Sequence, residues 1–120
     1  MIQSFRIEGK LPSLNDYTHA CRTNRYAGAK MKEEAEELIG WFARGLSPVE
    51  KPVKISFRWI EGDLKRDLDN IAFSKKFILD ALVKRGILPN DNRRWVRGFT
   101  DSFVVTKGRW GCVVTIEEEE

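Results

Sequence analysis

VKISFRWIEGDLKRDLDNIAFSKKFILDAL, residues 53–82, passes from an alternating pattern to a helical one across a short polar break. Val53, Ile55, Phe57 and Trp59 alternate with Lys54, Ser56 and Arg58, which predicts a strand with one apolar and one wet face. Ile71, Ser74, Phe77, Ile78, Ala81 and Leu82 then fall on one side of a helix running to about residue 85. Gly86 is placed to end that helix as its left-handed C′ residue, with Lys84 and Arg85 favourable in the last turn. A strand feeding an amphipathic helix sets the class as α/β.

Working outward, Phe5 and Ile7 between Arg6 and Glu8 predict a short first strand over residues 2–9. Pro12, Ser13, Asn15 and Asp16 punctuate a stretch that reads as a long polar loop from Leu11 to about Ala27. Met31, Ala35, Leu38, Phe42 and Leu46 then trace a helix face over residues 30–46, with Glu33, Glu34, Glu36 and Glu37 turned to solvent. After the polar ILPNDNRR loop, two strands over roughly 96–106 and 110–117 read as a β-hairpin turning at Lys107-Gly108-Arg109. The expected fold is one domain over residues 1–116, in the order β-α-β-α-β-β. Its small mixed or antiparallel sheet packs with two helices, and residues 117–120 form an acidic tail.

At 120 residues the chain has room for a single core. No apolar run approaches the roughly 20 residues that span a bilayer, and the N-terminus lacks the pattern of a signal peptide, so a cytoplasmic protein is expected. Cys21, Cys112 and the single His19 cannot supply a disulfide framework or a histidine metal site. Lys and Arg number 21 against 18 Asp and Glu, and four of those acids stand together at the C-terminus. The rest of the chain is therefore more basic than its net charge of +3 suggests, and the cations concentrate between Lys65 and Arg97. That concentration fits either a polyanion partner or a solvated basic face.

KRDLDN, residues 65–70, crowds two acids between two cations and an amide. In an extended chain Asp67 and Asp69 point the same way, about 6–7 Å apart, and could share a hard cation such as Mg²⁺. Asp69 or Asn70 could equally cap the following helix, and Asp67 could pair with Lys65 or Arg66. Asp80, one turn from both Lys76 and Lys84, reads as a surface ion-pair partner. Asp91 is a third acid for the site only if its loop folds back along the strand ends or a symmetry-related copy of the chain supplies it.

KRDLDNIAFSKKFILDAL, followed by a glycine and then by Asp91 within Pro89-Asn90-Asp91-Asn92, resembles the RusA family of Holliday-junction resolvases. Leu11-Pro12-Ser13-Leu14-Asn15 is similar to that family's N-terminal loop, and Val105 to Arg109 to its hairpin, so the resemblance touches most of the chain in order. The spacing from Asn70 to Asp80 is about three residues longer than the family pattern, leaving Lys76 preferred and Lys75 as its rival for the family lysine. The resemblance implies a homodimeric endodeoxyribonuclease, of a kind often encoded by phages, that nicks opposing strands of a four-way junction in DNA recombination and repair. Asp67, Asp69 and Asp91 would hold Mg²⁺, with Mn²⁺ a possible substitute, and Lys76 would complete the catalytic set. Lys65, Arg66, Lys75, Arg93, Arg94 and Arg97, with Asn15, would contact DNA. The alternatives are a non-catalytic branched-DNA-binding protein on the same scaffold, a basic protein-binding regulator and an RNA-cutting enzyme.

Overall fold

A computed structural model describes residues 1–120. Its centre is the predicted strand, β2 (Val53–Glu61), whose Val53, Ile55, Phe57 and Trp59 are all buried while Lys54, Ser56 and Arg58 stay wet. The full order is β1 (Ile2–Glu8), α1 (Leu14–Thr23), α2 (Arg25–Phe42), β2, α3 (Leu68–Ala72), α4 (Lys75–Lys84), β3 (Val96–Val105) and β4 (Gly111–Glu118). A single α/β domain with a mixed four-stranded sheet results, as the patterning predicts. Three helices of ten residues or more and one single-turn helix replace the two expected.

The sheet order is β1-β4-β2-β3. β2 and β3 run parallel, joined by α3 and α4, while β4 runs antiparallel to both β2 and β1. The expected hairpin is therefore absent: β2 lies between β3 and β4, and the 106–109 turn carries the chain across its end. Thr106 donates its N–H to the Glu61 carbonyl at that crossing, 2.8 Å away. Inserting β2 gives the most apolar strand two neighbours, so both its hydrogen-bonding edges are satisfied inside the sheet.

The stretch expected as a loop from Leu11 to Ala27 is instead mostly helical. Ser13 caps α1 by a reciprocal capping box with Asp16, an arrangement that typically stabilises a helix by about 1 kcal/mol. Only Ala20 of α1 is buried, so the segment carries almost no apolar period to read. Asn24 then caps α2, accepting from the N–H groups of Tyr26 and Ala27.

α2 begins and ends earlier than the predicted 30–46, and its buried face is rotated: Ala35, Glu36, Ile39 and Gly40 are inside, while Leu38 is exposed. Gly40 makes room for the Arg85 side chain, whose Cδ would stand 3.3 Å from a β-carbon there. The helix after KRDLDN is broken in two because backbone hydrogen bonding tightens from i−4 to i−3 at Ser74 and Lys76. Ser74 is buried and its hydroxyl donates to the Pro12 carbonyl, which fixes the break. α4 does end as predicted. Gly86 has φ of 73° and donates to Val83, and Ile87 donates to Leu82, the paired bonds of a Schellman motif.

The acidic tail is partly structural. β4 continues to Glu118, whose carboxylate accepts from the N–H groups of Glu50 and Lys51. No helix is long and apolar enough to cross a membrane.

Candidate functional site

β2 delivers the chain to KRDLDN at one end of the sheet, and Arg66 is the first residue there with a fixed task. Its guanidinium grips the buried Glu61 carboxylate in a fork, at 2.7 and 2.8 Å, and a third N–H donates to the Leu11 carbonyl at 2.8 Å. Asp16 lies 3.8 Å away on its other side. The cation expected on a phosphate is thus turned inward, and Glu61 needs it. A carboxylate with a 7% exposed side chain would otherwise be an uncompensated buried charge.

The same seam fastens the N-terminal loop onto the acidic stretch. Asn15 donates its backbone N–H to the Asn70 side-chain oxygen at 3.2 Å, and Ser74 holds Pro12. With Arg66 on Leu11, three contacts tie the Leu11–Asn15 segment to residues 66–74, across 55 to 62 positions of sequence. The Leu11–Asn15 and Lys65–Asn70 stretches are therefore neighbours in space. Asn15 takes part through its backbone, which leaves its side chain uncommitted.

Asp67 is the N-cap residue of α3, yet its side chain makes no capping bond, and Asp69 sits in the first turn. Both are exposed, and neither takes part in any of the ion pairs or side-chain hydrogen bonds of the chain. The helix cap that would have explained Asp67 or Asp69 is not made, and Arg66 is taken by Glu61 instead. Lys65, also exposed, has only a backbone bond, to Asp63.

The two rival lysines separate cleanly. Lys75 points across the sheet, 2.7 Å from Asp101 and over the Phe57 and Phe99 rings at 5.1 and 4.5 Å. Asp101 also accepts from the Trp59 indole at 2.8 Å, so Lys75 completes a packed structural cluster. Lys76 stays 59% exposed, 3.2 Å from Asp80 and 3.8 Å from Asp91. The Asp80 carboxylate, with help from Asp91, raises its pKa above the usual lysine value.

Asp91 reaches Lys76 because the 87–95 loop folds back along α4. Asn90 and Asn92 shape that loop by accepting from the N–H groups of Asn92 and Arg94. The pairing belongs to a longer alternating chain that sequence reading missed: Lys84 on Glu36, Glu36 at 4.0 Å from Lys32, Lys32 at 3.3 Å from Asp80, then Lys76 and Asp91. Glu36, expected in solvent, is buried between α2 and α4 with lysines on both sides. Its signal in sequence would have been a glutamate three residues before apolar Ile39, on the same helix face. Arg93, Arg94 and Arg97 are all exposed.

Asp67, Asp69 and Asp91 are hard oxygen donors of the kind Mg²⁺ and Mn²⁺ prefer. Within one chain, however, no three or more His, Cys, Asp or Glu side chains form a group able to hold a metal ion. Asp91 instead has the Lys76 ammonium beside it. The donor chemistry of these acids fits the cation, and no catalytic step is assigned to a bound ion. Cys112 lies apart from this region, its thiol pushed up to about 12 by burial. A scan against protein-family models gives no match to this chain, and a search of curated proteins gives none either.

Proposed function

We propose that this chain is a RusA-like, divalent-metal-dependent endodeoxyribonuclease that resolves four-way DNA junctions, working as a homodimer. The observation that carries this reading is a pair of adjacent acids without structural employment. Asp67 and Asp69 stand exposed beside the seam joining the two motif stretches, while Arg66, Asn70 and Ser74 do the fastening. Exposed acids one residue apart repel each other, and a cation at that point relieves the repulsion.

In this reading Lys76 offers a protonated ammonium to a phosphate that displaces it from Asp80 and Asp91. Lys65, Arg93, Arg94 and Arg97 supply exposed cations for phosphate contacts, which position a duplex without reading its sequence. Arg66 and Lys75 leave that set because both are held by carboxylates of the fold. They act on the site by holding its parts in place.

The test is cleavage of a synthetic four-way junction beside a matched linear duplex, with Mg²⁺, with Mn²⁺ and with EDTA. Paired nicks on the junction alone, dependent on the divalent ion and abolished in Asp69→Asn while junction binding persists, are expected. Tight junction binding with no cleavage under either ion would overturn the nuclease reading and leave a branched-DNA-binding protein.

A further inference from the structure

A second basic feature lies at the same end of the sheet, in residues that none of the motif stretches assigns to DNA. Where β1 leaves the sheet and β4 enters it, a cleft of about 490 Å³ opens between two turns. Arg6, Lys10 and Arg109 line it against a single acid, Glu8, which stands 4.0 Å from Arg6 in an exposed and therefore weak pair. Lys107 stands on the same turn as Arg109.

The walls are built for close approach. Gly9 and Gly108 both have positive φ, at 118° and 75°, and both line the cleft without a side chain. Trp110 forms the floor and holds Lys10, whose ammonium lies 5.4 Å from the ring centroid. Gly62 is pressed against the same ring, so closely that a β-carbon there would stand 2.4 Å from it. The indole N–H is buried with no acceptor, so packing rather than hydrogen bonding fixes the ring. Lys10 over a packed aromatic ring, with Arg6 and Arg109 on the same lining, makes the cleft positively charged.

Lys10 is followed directly by Leu11, whose carbonyl Arg66 holds, and Gly62 leads into the Lys65–Asn70 stretch. The cleft therefore adjoins the acid pair along both chain routes.

We infer that the Arg6–Lys10–Arg109 cleft binds the phosphodiester backbone of a DNA arm next to the acid pair. This rests on the DNA reading of the candidate site and extends it to a second contact region. Each phosphate contact contributes about 0.9 to the slope of log affinity against log salt, through release of condensed counterions.

The experiment is junction binding by fluorescence anisotropy in EDTA, from low to physiological salt, for wild type, Lys10→Ala/Arg109→Ala, Arg109→Glu and Lys51→Ala. Lys51 is exposed near the opposite end of β2, so its substitution controls for general loss of charge. The double variant should lower the slope by about 1.8, Arg109→Glu should weaken binding further at low salt, and Lys51→Ala should match wild type. Circular dichroism checks that each variant is folded. If wild type binds with a steep slope and the cleft variants bind identically, the cleft assignment is wrong and the DNA reading survives. If wild type shows no salt-sensitive binding, both fall together.

Discussion

Arg66 and Lys76 lie ten positions apart, on either side of α3, and each sits between carboxylates. Arg66 meets Glu61 with side chains 14% and 7% exposed, in a two-point fork, and also holds the Leu11 carbonyl. Lys76 meets Asp80 and Asp91 with side chains 59%, 18% and 32% exposed, through single contacts at 3.2 and 3.8 Å. The first set is enclosed, geometrically specific and costly to break. The second is wet, loosely held and able to exchange one partner for another at little cost. Charges of the same kind thus serve the fold where water is excluded and remain available for chemistry where it is not.

Substituting Arg66 is the strongest way to break this contrast. Arg66→Ala should destabilise the protein by about 3–5 kcal/mol, because Glu61 would remain buried without a countercharge and the Leu11 carbonyl would lose its donor. Urea unfolding measures this directly, and a loss under about 1 kcal/mol would mean that Glu61 escapes to solvent. Arg66→Lys should recover only part of the stability, since an ammonium cannot reproduce the fork.

Lys76→Met sharpens the contrast from the other side. Its stability should stay within about 1 kcal/mol of wild type, as expected for an exposed pair. Junction cleavage should nevertheless fall by about 10²–10³, the usual effect of removing one charge stabiliser from a reacting phosphate. Equal losses of stability and cleavage would place Lys76 with Arg66, as a fold residue.

The smallest effect concerns pH. Asp80, chiefly by its hydrogen bond, raises the folded pKa of Lys76 above 10.5, so the ion pair's contribution is fully present below 10.5. It is lost as pH climbs through the raised folded value. Stability of wild type should therefore fall slightly faster than that of Lys76→Met at strongly alkaline pH, measured by thermal midpoints across that range.

Much of this site was legible in the sequence because its signals are local. Asp67-Leu68-Asp69-Asn70 is a contiguous stretch, and Lys76, Asp80 and Lys84 are spaced by single helical turns. The alternative structural uses of those acids were equally legible, and only the tertiary structure shows that Asp67 and Asp69 make no cap bond or ion pair. Glu61 and Asp101 escaped notice because each gains its meaning from a residue outside its own strand. Arg66 gives it to Glu61, and Lys75 with Trp59 to Asp101.

The same division holds for the fold. Alternation along β2, the apolar period of α4 and the glycine that ends it depend on neighbours two to four positions away, and the sequence by itself determined them. Strand pairing depends on partners dozens of residues off. Val96–Val105 and Gly111–Glu118 look like a hairpin from their short connection, yet β2 separates them. That choice belongs to the tertiary structure, because placing the most apolar strand at an edge would leave its backbone unpaired and its side chains half covered. Burial of Glu36 and the return of Asp91 to Lys76 were decided at the same level, by which surfaces α2, α4 and the 87–95 loop bring together.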